Sequence, residues 1–482
     1  MLFNSLTFFV FFALFYSVYI LIRKYRKPRL ALIVAGSAVF YGWWDWRFLL
    51  LILATGVVDF HAALAMDRFS SERVRKLLLT LSLAFDLGML AIFKYSSFVA
   101  ETLEQLFGAV GIHVALQSRI PAFCLILPVG ISFYTFQSLS YTIDVYRRKL
   151  PPTSDFIHFM AYLMFFPQLV AGPIVRANDL LYKLLNEPRI TAPGIVSGVK
   201  LMVIGFFKKC FLADNVATYV NNSFAEMFIC ESTFVWWMTM ILFSIQIYCD
   251  FSGYSDIARG LARLLGYRFP LNFNHPYAAV GFRDFWRRWH ISLSSWFMNY
   301  VYIPLGGNVE KYRGRGFVNR VRTNFNLFVT MLLSGLWHGA SWTFLIWGAV
   351  HGALLTLERM LKLPRRLGGS GFGRALWWGM TLFCVPLTWV FFRAESFAQV
   401  RHIFRCMFVY SPLPEKSDIS ESLCFIIFFA VMELYLFFRP LRFLPHKAAR
   451  FIWQWDAVGF ALLAAAAMCF RGDGNEFIYF QF

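Results

Sequence analysis

Long apolar runs alternate with short basic clusters along the whole chain. The first run, residues 2–22, ends at a loop in which five of the seven residues 23–29 are basic. A helix needs about 20 apolar residues to cross the hydrocarbon core of a bilayer, and basic loops stay on the cytoplasmic side. The pattern therefore predicts a polytopic helical membrane protein whose N-terminus lies outside the cytoplasm.

Two later segments depart from the simple alternation. The run 156–172 is interrupted by Pro167 and closed by Pro173, which predicts a re-entrant segment, because broken helices at membrane depth occur only inside protein or beside a cavity. Residues 257–290 are too polar to span and too aromatic for a solvated loop, which favours amphipathic helices at the cytoplasmic interface. The other runs expected to span are 30–43, 48–65, 77–93, 123–143, 195–212, 234–248, 325–337, 342–357, 375–392, 423–438 and 451–470.

These runs and the basic loops between them predict the topology of the whole chain. The last basic loop, residues 439–450, directs the final run outward, so both termini are expected on the periplasmic or extracellular side. We expect an all-α bundle of about 11–12 transmembrane helices with additional interfacial helices. No segment is long and polar enough to be a separate soluble domain, so residues 1–482 are expected to form a single membrane domain.

Composition excludes several classes of protein. A chain that is 59% hydrophobic and only 15% charged is not an ordinary soluble protein. The net charge of +19 comes from basic clusters between apolar runs, which indicates topology and contact with anionic lipid and not nucleic-acid binding. The eight cysteines are scattered singly, and no His-x-x-x-His pair, Walker loop or G-x-S-x-G sequence occurs. We therefore expect no metal centre and neither nucleotide-driven nor serine-hydrolase chemistry.

Two of the nine histidines occupy informative positions in apolar sequence. His338 closes the run 325–337, where an ionisable side chain at membrane depth is costly and usually functional. An imidazole with a pKa near 6.5 can take and return a proton near neutrality, so we expect His338 to act as a general base. His351, in the next run, either faces the same cavity or packs against a neighbour. His275, in the Asn-Phe-Asn-His-Pro sequence 272–276, is a candidate for lining a route from the cytoplasm.

Several phrases of the chain resemble the membrane-bound O-acyltransferase (MBOAT) superfamily, and most closely its bacterial alginate O-acetyltransferase-like branch. They are Phe-Trp-Arg-Arg-Trp-His-Ile-Ser-Leu-Ser at 285–294, Tyr-Ile-Pro-Leu-Gly-Gly-Asn at 302–308 and Gly-Leu-Trp-His-Gly-Ala at 335–340, with agreement also at 127–134, 171–173 and 250–256. The resemblance implies a central funnel through the helical bundle, with His338 as the active-site histidine and His290 as a second functional histidine reached from the cytoplasm. We expect the funnel to be lined by Trp337, Asp250, Ser252 and His351.

The resemblance also implies the reaction. Related proteins take an acyl group from a cytoplasmic thioester, here expected to be acetyl-CoA, and pass it to hydroxyls outside. The expected acceptor is an extracytoplasmic polysaccharide, such as an alginate-like exopolysaccharide or peptidoglycan, and the expected partners are membrane lipid and a separate SGNH-type or similar acetyltransferase beyond the bacterial inner membrane. Donor phosphates would be attracted by a basic cytoplasmic layer, for which the candidates are Arg283, Arg287, Arg288 and the adjacent Trp289.

Two other activities remain open at this point. One is D-alanyl transfer to teichoic acid, which requires a carrier-protein donor. The other is a transporter or flippase, which predicts repeated halves and paired charges within spans, and neither is clearly visible in the sequence.

The C-terminal sequence Phe-Ile-Tyr-Phe-Gln-Phe at 477–482 resembles the aromatic tail motif of the same branch, whose tyrosine is thought to accept the acyl group. We hypothesise that His338 deprotonates Tyr479, which then attacks the thioester, because a phenol with a pKa near 10 needs a base and gives a reactive aryl ester. The alternative is an aromatic tail that anchors at the membrane interface.

Overall fold

Helices make up nearly all regular structure in the computed structural model, which describes residues 1–225, 227, 231–307, 317–412, 420–438, 446–472 and 477–478. No strand occurs in these ranges, which confirms the predicted all-α class. The chain divides into two compact units, one of residues 1–199 and 258–270 and the other of residues 200–257 and 271–482.

The helices are numbered in chain order. Up to residue 180 they are α1 (Leu6–Ile22), α2 (Arg26–Asp45), α3 (Leu49–Arg68), α4 (Glu72–Leu90), α5 (Ser96–Ala109), α6 (Ile131–Tyr146), α7 (Phe156–Leu163), α8 (Phe166–Leu169) and α9 (Ala177–Leu180). The later helices are α10 (Ala192–Phe206), α11 (Asp214–Ala225), α12 (Thr233–Leu264), α13 (Phe282–Arg288), α14 (Ile291–Phe297), α15 (Phe317–His338), α16 (Trp342–Met360), α17 (Leu363–Arg366), α18 (Gly371–Arg393), α19 (Phe397–Phe408), α20 (Ser420–Phe438) and α21 (His446–Cys469).

Several helices are suited to the membrane. Within the described ranges, five helical stretches are long and apolar enough to cross a bilayer: Arg26–Arg68, Glu72–Ala109, Thr233–Leu264, Gly371–Arg393 and Ser420–Phe437. The chain is accordingly a multi-pass membrane protein. The total of about 11–12 spans and the outside position of both termini stay predictions.

The first unit holds a buried carboxylate where α3, α4 and α6 meet. The side chain of Asp59, on α3, accepts hydrogen bonds from the hydroxyls of Ser82 on α4 (2.5 Å) and Ser138 on α6. All three residues are buried, and a buried polar group needs such partners to offset its lost hydration. The hydroxyls thereby tie three helices together within the unit.

The apolar run 156–172 breaks close to where the sequence predicts. Helix α7 ends at Leu163, and the short α8 begins at Phe166 with Pro167 in its first turn, where the missing N–H has no intrahelical partner to lose. Both helices are almost wholly buried.

Helix α12 is longer than the sequence predicts. The predicted run 234–248 lies within α12, which continues to Leu264 and so includes the first residues of the segment 257–290. Its acidic residues are paired inside the second unit: Asp250 with Lys209 at 2.9 Å and Asp256 with Lys208 at 2.9 Å. Both lysines lie in a π-helical turn, residues 207–213, that joins α10 to α11.

Helices α15 and α16 of the second unit pack at very short range through glycine. A Cβ atom on Gly348 of α16 would lie 2.5 Å from the carbonyl oxygen of Met331 and 3.1 Å from the Cα of Gly335, both on α15. Only a residue without a side chain allows this approach. The contact sets the position of the last turn of α15, which ends at His338.

Candidate functional site

His338 lies at the end of α15 inside an aromatic cage. The side chain is buried, with 2% of the residue exposed. Its ring centroid lies 5.0 Å from Trp337, 5.0 Å from Trp347 and 5.4 Å from Phe392. Edge-to-face contacts of this kind hold the imidazole in one orientation and exclude water.

His290 lies beside His338, with 6.5 Å between the two ring centroids. It precedes α14 in a left-handed backbone conformation (φ 42°), which a non-glycine residue adopts only at a cost that its surroundings must offset. Its ring is fully buried against Phe251 (4.6 Å) and Trp337 (5.8 Å). The structure thus brings together the two histidines to which the family resemblance assigned functional roles, His338 and His290.

Asn272 fixes the orientation of His290. The side-chain oxygen of Asn272 lies 3.2 Å from Nδ1 of His290 and accepts hydrogen bonds from the backbone N–H and hydroxyl of Ser292, while its amide donates to Ser255. Because that oxygen only accepts, Nδ1 of His290 carries the proton and Nε2 is the basic nitrogen.

Burial sets the charge of His290, which lies outside the membrane-spanning helices. It lowers the pKa of His290 to about 3, because the charged imidazolium loses its hydration. The ring is therefore neutral at physiological pH.

His351, expected to line the funnel, is a buried, hydrogen-bonded residue that contacts Trp347, one of the rings of the cage. Its Nε2 lies 3.0 Å from the hydroxyl of Thr388, which itself donates to a backbone carbonyl, so Nε2 of His351 is the donor. The ring contacts Trp347 at 4.7 Å, and Trp347 contacts His338. His351 thus supports the wall of the cage from behind.

Asp250 and Ser252, the other expected lining residues, are buried on α12. Oδ1 of Asp250 lies 2.9 Å from Nζ of Lys209, and Oδ2 of Asp250 accepts a hydrogen bond of 2.8 Å from the backbone N–H of Ile478. The C-terminal segment therefore reaches the carboxylate next to Phe251, the residue that packs on His290. Tyr479 lies outside the described residues.

The candidate donor-binding residues have different environments. Arg283 and Arg287 are exposed on α13. Arg288 is partly buried and its Nε donates to Asp284 at 3.0 Å. Trp289 is buried, with its ring 5.0 Å from Trp389, so the structure places it in the packing behind the site.

His275, the candidate for a route from the cytoplasm, borders a cavity of about 670 Å³ in the second unit. Its Nδ1 lies 2.7 Å from the carboxylate of Glu433 on α20. The remaining wall is largely apolar and includes Trp378 and Phe437, with Arg374 at its polar part.

Sequence reasoning missed residues whose role depends on the fold. Asn272, Phe251, Trp347 and Phe392 contact the histidines, but the contacts depend on how separate helices and loops pack. No local pattern distinguishes Asn272 from the neighbouring Asn274. In the part of the chain that the structure describes, no group of three His, Cys, Asp or Glu side chains is placed to hold a metal ion.

Comparison with known proteins gives extensive similarity. The family model described as "MBOAT, membrane-bound O-acyltransferase family" matches residues 48–367. The chain is 39% identical to "Probable alginate O-acetylase AlgI" of Azotobacter vinelandii, over 88% of this chain and 81% of that protein. It is 34% identical to "Peptidoglycan O-acetyltransferase" of Helicobacter pylori, over 84% of this chain and 80% of that protein. "Teichoic acid D-alanyltransferase" of Streptococcus thermophilus is 28% identical, over 48% and 56%.

Proposed function

The chain belongs to the membrane-bound O-acyltransferase family, and on that basis we propose that this enzyme moves an acetyl group from a cytoplasmic thioester to hydroxyls of an extracytoplasmic polysaccharide, with His338 as the catalytic base. The observation that carries the proposal is the buried pair His338 and His290, whose rings lie 6.5 Å apart inside an aromatic cage. Burying ionisable side chains in apolar surroundings is costly, and residues of this kind in membrane proteins usually belong to functional sites.

In the proposed chemistry His338 takes a proton in one step and gives it back in the next. First, the imidazole of His338 takes the hydroxyl proton of the acceptor as the acceptor oxygen attacks the thioester carbonyl carbon. The C–S bond then breaks, and the imidazolium returns the proton to the departing sulfur, so that a free thiol leaves. His290, which is neutral because burial lowers its pKa to about 3, would offer Nε2 as a hydrogen-bond acceptor beside the same centre and not as a second base.

We propose Tyr479 as the first acceptor of the acetyl group. Its phenol would form an aryl ester. A partner's hydroxyl would then attack the ester carbonyl carbon on the outer side, the bond between that carbon and the tyrosine oxygen would break, and the hydroxyl proton would pass to the tyrosine oxygen to regenerate the phenol. Support comes from Ile478, the preceding residue, which is buried and bonded to Asp250, and from Phe477, whose ring lies 5.7 Å from that of Phe251. The ring of Phe251 thus contacts both Phe477 and His290.

The donor is proposed to be acetyl-CoA bound by the exposed arginines of α13. Arg283 and Arg287 are accessible and basic, and guanidinium groups bind phosphates in bidentate fashion. Arg288 is already paired with Asp284, so it contributes charge more than a contact. Trp289, being buried, would support α13 and not touch the donor.

The acceptor is proposed to be a polysaccharide outside the bacterial inner membrane, approached through an SGNH-type or similar acetyltransferase partner. Alginate-like exopolysaccharide and peptidoglycan are the two candidate polymers, since relatives named for each align with most of this chain. D-alanyl transfer to teichoic acid is the less favoured alternative, because that similarity covers only about half of the chain.

A complementation experiment tests the proposal. The gene is expressed in a host that lacks its own polysaccharide O-acetyltransferase, and ester-linked groups are released from the purified polymer with mild base and identified. We expect acetate from the wild type and from the control His61→Ala, since His61 is exposed, but none from His338→Ala at equal membrane abundance. Release of D-alanine would favour the alternative, and full acetylation by His338→Ala would overturn the assigned base.

A further inference from the structure

The described residues that follow α21 are attached to the rest of the second unit at two points, the first at residues 470–472 and the second at residues 477–478. The carbonyl oxygen of Phe470 accepts a hydrogen bond of 2.9 Å from the side chain of Asn215, and the N–H of Gly472 donates to the carbonyl of Cys210 at 3.2 Å. A Cβ atom on Gly472 would lie 2.8 Å from the backbone nitrogen of Asn215, so only glycine permits this approach. The segment is thus seated against the turn that joins α10 and α11.

The second point of attachment is buried and charged. Phe477 and Ile478 are 1% and 2% exposed. The ring of Phe477 packs on Tyr254 at 4.9 Å, and the N–H of Ile478 donates to Oδ2 of Asp250 at 2.8 Å. A hydrogen bond from a backbone amide to a buried carboxylate is charge-assisted, and it fixes which residue of the tail lies at that point.

Lys209 holds that carboxylate in place. Its Nζ lies 2.9 Å from Oδ1 of Asp250 and 2.8 Å from Oδ1 of Asp214, so one lysine joins two acidic residues from α12 and α11. The side chains of this cluster are nearly inaccessible, and such buried charges are retained where they specify a geometry. The geometry specified here is the register of the C-terminal segment.

We propose that Lys209 and Asp250 are positioning residues that clamp the backbone at Ile478 and so set the register of the chain that leads to Tyr479, the proposed acyl acceptor. The inference rests on the proposed tyrosine transfer for its consequence, but the clamp itself is a statement about structure. The register of the C-terminal segment decides which residue follows the clamp at Asp250. The clamp lies close to the histidines, because the next residue, Phe251, has its ring 4.6 Å from that of His290. A tail that slipped by one residue would present Ile478 or Phe480 in place of Tyr479.

The chain supplies a matched control. Asp256 lies on the same helix and forms its own partly buried pair with Lys208 at 2.9 Å. Removing Asp250 leaves Lys209 paired with Asp214, whereas removing Asp256 takes away the carboxylate that pairs with Lys208. Asp256→Asn therefore controls for the loss of a charged pair on α12 that includes neither Lys209 nor Asp250.

Hydrogen–deuterium exchange on the full chain in lipid nanodiscs tests the clamp without any reaction. We expect the Ile478 amide to be protected in the wild type and in Asp256→Asn, and to exchange about tenfold faster or more in Asp250→Ala. Asp250→Asn, which keeps an acceptor oxygen and nearly the same volume, replaces the alanine variant if that does not fold and should lie between the two. An unprotected Ile478 in the wild type, or equal release in Asp256→Asn, would overturn the clamp.

A kinetic measurement separates this inference from the proposed function. With Asp250→Ala we expect kcat to fall while KM for acetyl-CoA stays unchanged, with partial rescue by Asp250→Asn. If exchange shows the clamp but Tyr479→Phe transfers acetyl at the wild-type rate, the clamp stands and the tyrosine transfer is refuted. If Tyr479→Phe is inactive but Ile478 is unprotected, the transfer stands and the clamp is refuted.

Discussion

Replacing Asn272 should impair transfer although both buried histidines, His290 and His338, are retained. Asn272 accepts a hydrogen bond from Nδ1 of His290 and thereby keeps the basic nitrogen at Nε2. In Asn272→Ala that acceptor is lost, so both tautomers and several ring orientations of His290 become accessible. We expect kcat to fall, with KM for the donor unchanged, because the donor site is not altered.

The structure allows the size of the effect to be worked out. The Asn272 side chain makes four hydrogen bonds, to His290, twice to Ser292 and to Ser255. A neutral hydrogen bond contributes about 1 kcal/mol net, so the variant should lose on the order of 4 kcal/mol of stability. The single bond to His290, at about 1 kcal/mol, corresponds to roughly fivefold in kcat.

The assay is thiol release from acetyl-CoA by the purified enzyme, normalised to the folded fraction. Asn274→Ala is the control, because Asn274 lies in the same phrase but is exposed. Asn272→Asp keeps the acceptor and adds a charge that favours the imidazolium, so it should recover kcat and raise the pKa seen in the pH–rate profile. Wild-type kcat in Asn272→Ala, or an equal loss in Asn274→Ala, would refute the reasoning.

Three further predictions follow from burial, packing and charge. Between about pH 6.5 and pH 3 the unfolded chain binds a proton at His290 that the folded protein does not. As the pH falls through this range, the wild type should therefore lose roughly 1.4 kcal/mol of stability per pH unit relative to His290→Gln. Thermal unfolding of the two proteins at several pH values measures the difference. Gly348→Ala should cost about 1–3 kcal/mol by forcing α15 and α16 apart, whereas Gly379→Ala, with open space at its Cβ, should be neutral or stabilising. Arg287→Gln should raise KM for acetyl-CoA with kcat unchanged, and the effect should shrink at high salt, while the exposed Arg73→Gln should have no effect.

Each of these three predictions has an outcome that would contradict it. Parallel stability curves for the wild type and His290→Gln would mean that the folded ring takes up protons as readily as the unfolded one. Equal unfolding temperatures for the two glycine variants would show that α15 can shift to accommodate a methyl group. A lowered kcat in Arg287→Gln with unchanged KM would place that arginine at the reacting centre and not at the donor phosphates.

Periodicity and charge predicted the all-helical membrane class because the bilayer permits so few alternatives. They gave an apolar run of only 234–248, whereas α12 continues through Asp250 and Asp256 to Leu264. The compensating charges, Lys208 and Lys209, lie more than 40 residues earlier in the sequence, and no local pattern links them to α12. Ion pairs between residues far apart in the sequence cannot be predicted from a single sequence.

The same limit applies to the site. His338 was identifiable because it is ionisable within apolar sequence, and His290 through the family resemblance of residues 285–294; the fold brings their rings to 6.5 Å. The role of Asn272 was not identifiable, because it depends on a hydrogen bond to a residue 18 positions later, beyond α13. Trp289 and His351, expected at the site itself, are packed behind it, since aromatic residues near a histidine look alike in sequence whether they face the cavity or the core.

The most direct test of the proposed base and tyrosine acceptor is intact-mass and peptide mass spectrometry of the purified enzyme after incubation with acetyl-CoA. We expect one acetyl group on the C-terminal peptide of the wild type and none in His338→Ala or Tyr479→Phe. An unlabelled tail in the wild type, together with Tyr479→Phe that still acetylates polymer in cells, would contradict the tyrosine step. Labelling that persists in His338→Ala would contradict the base on which the mechanism depends.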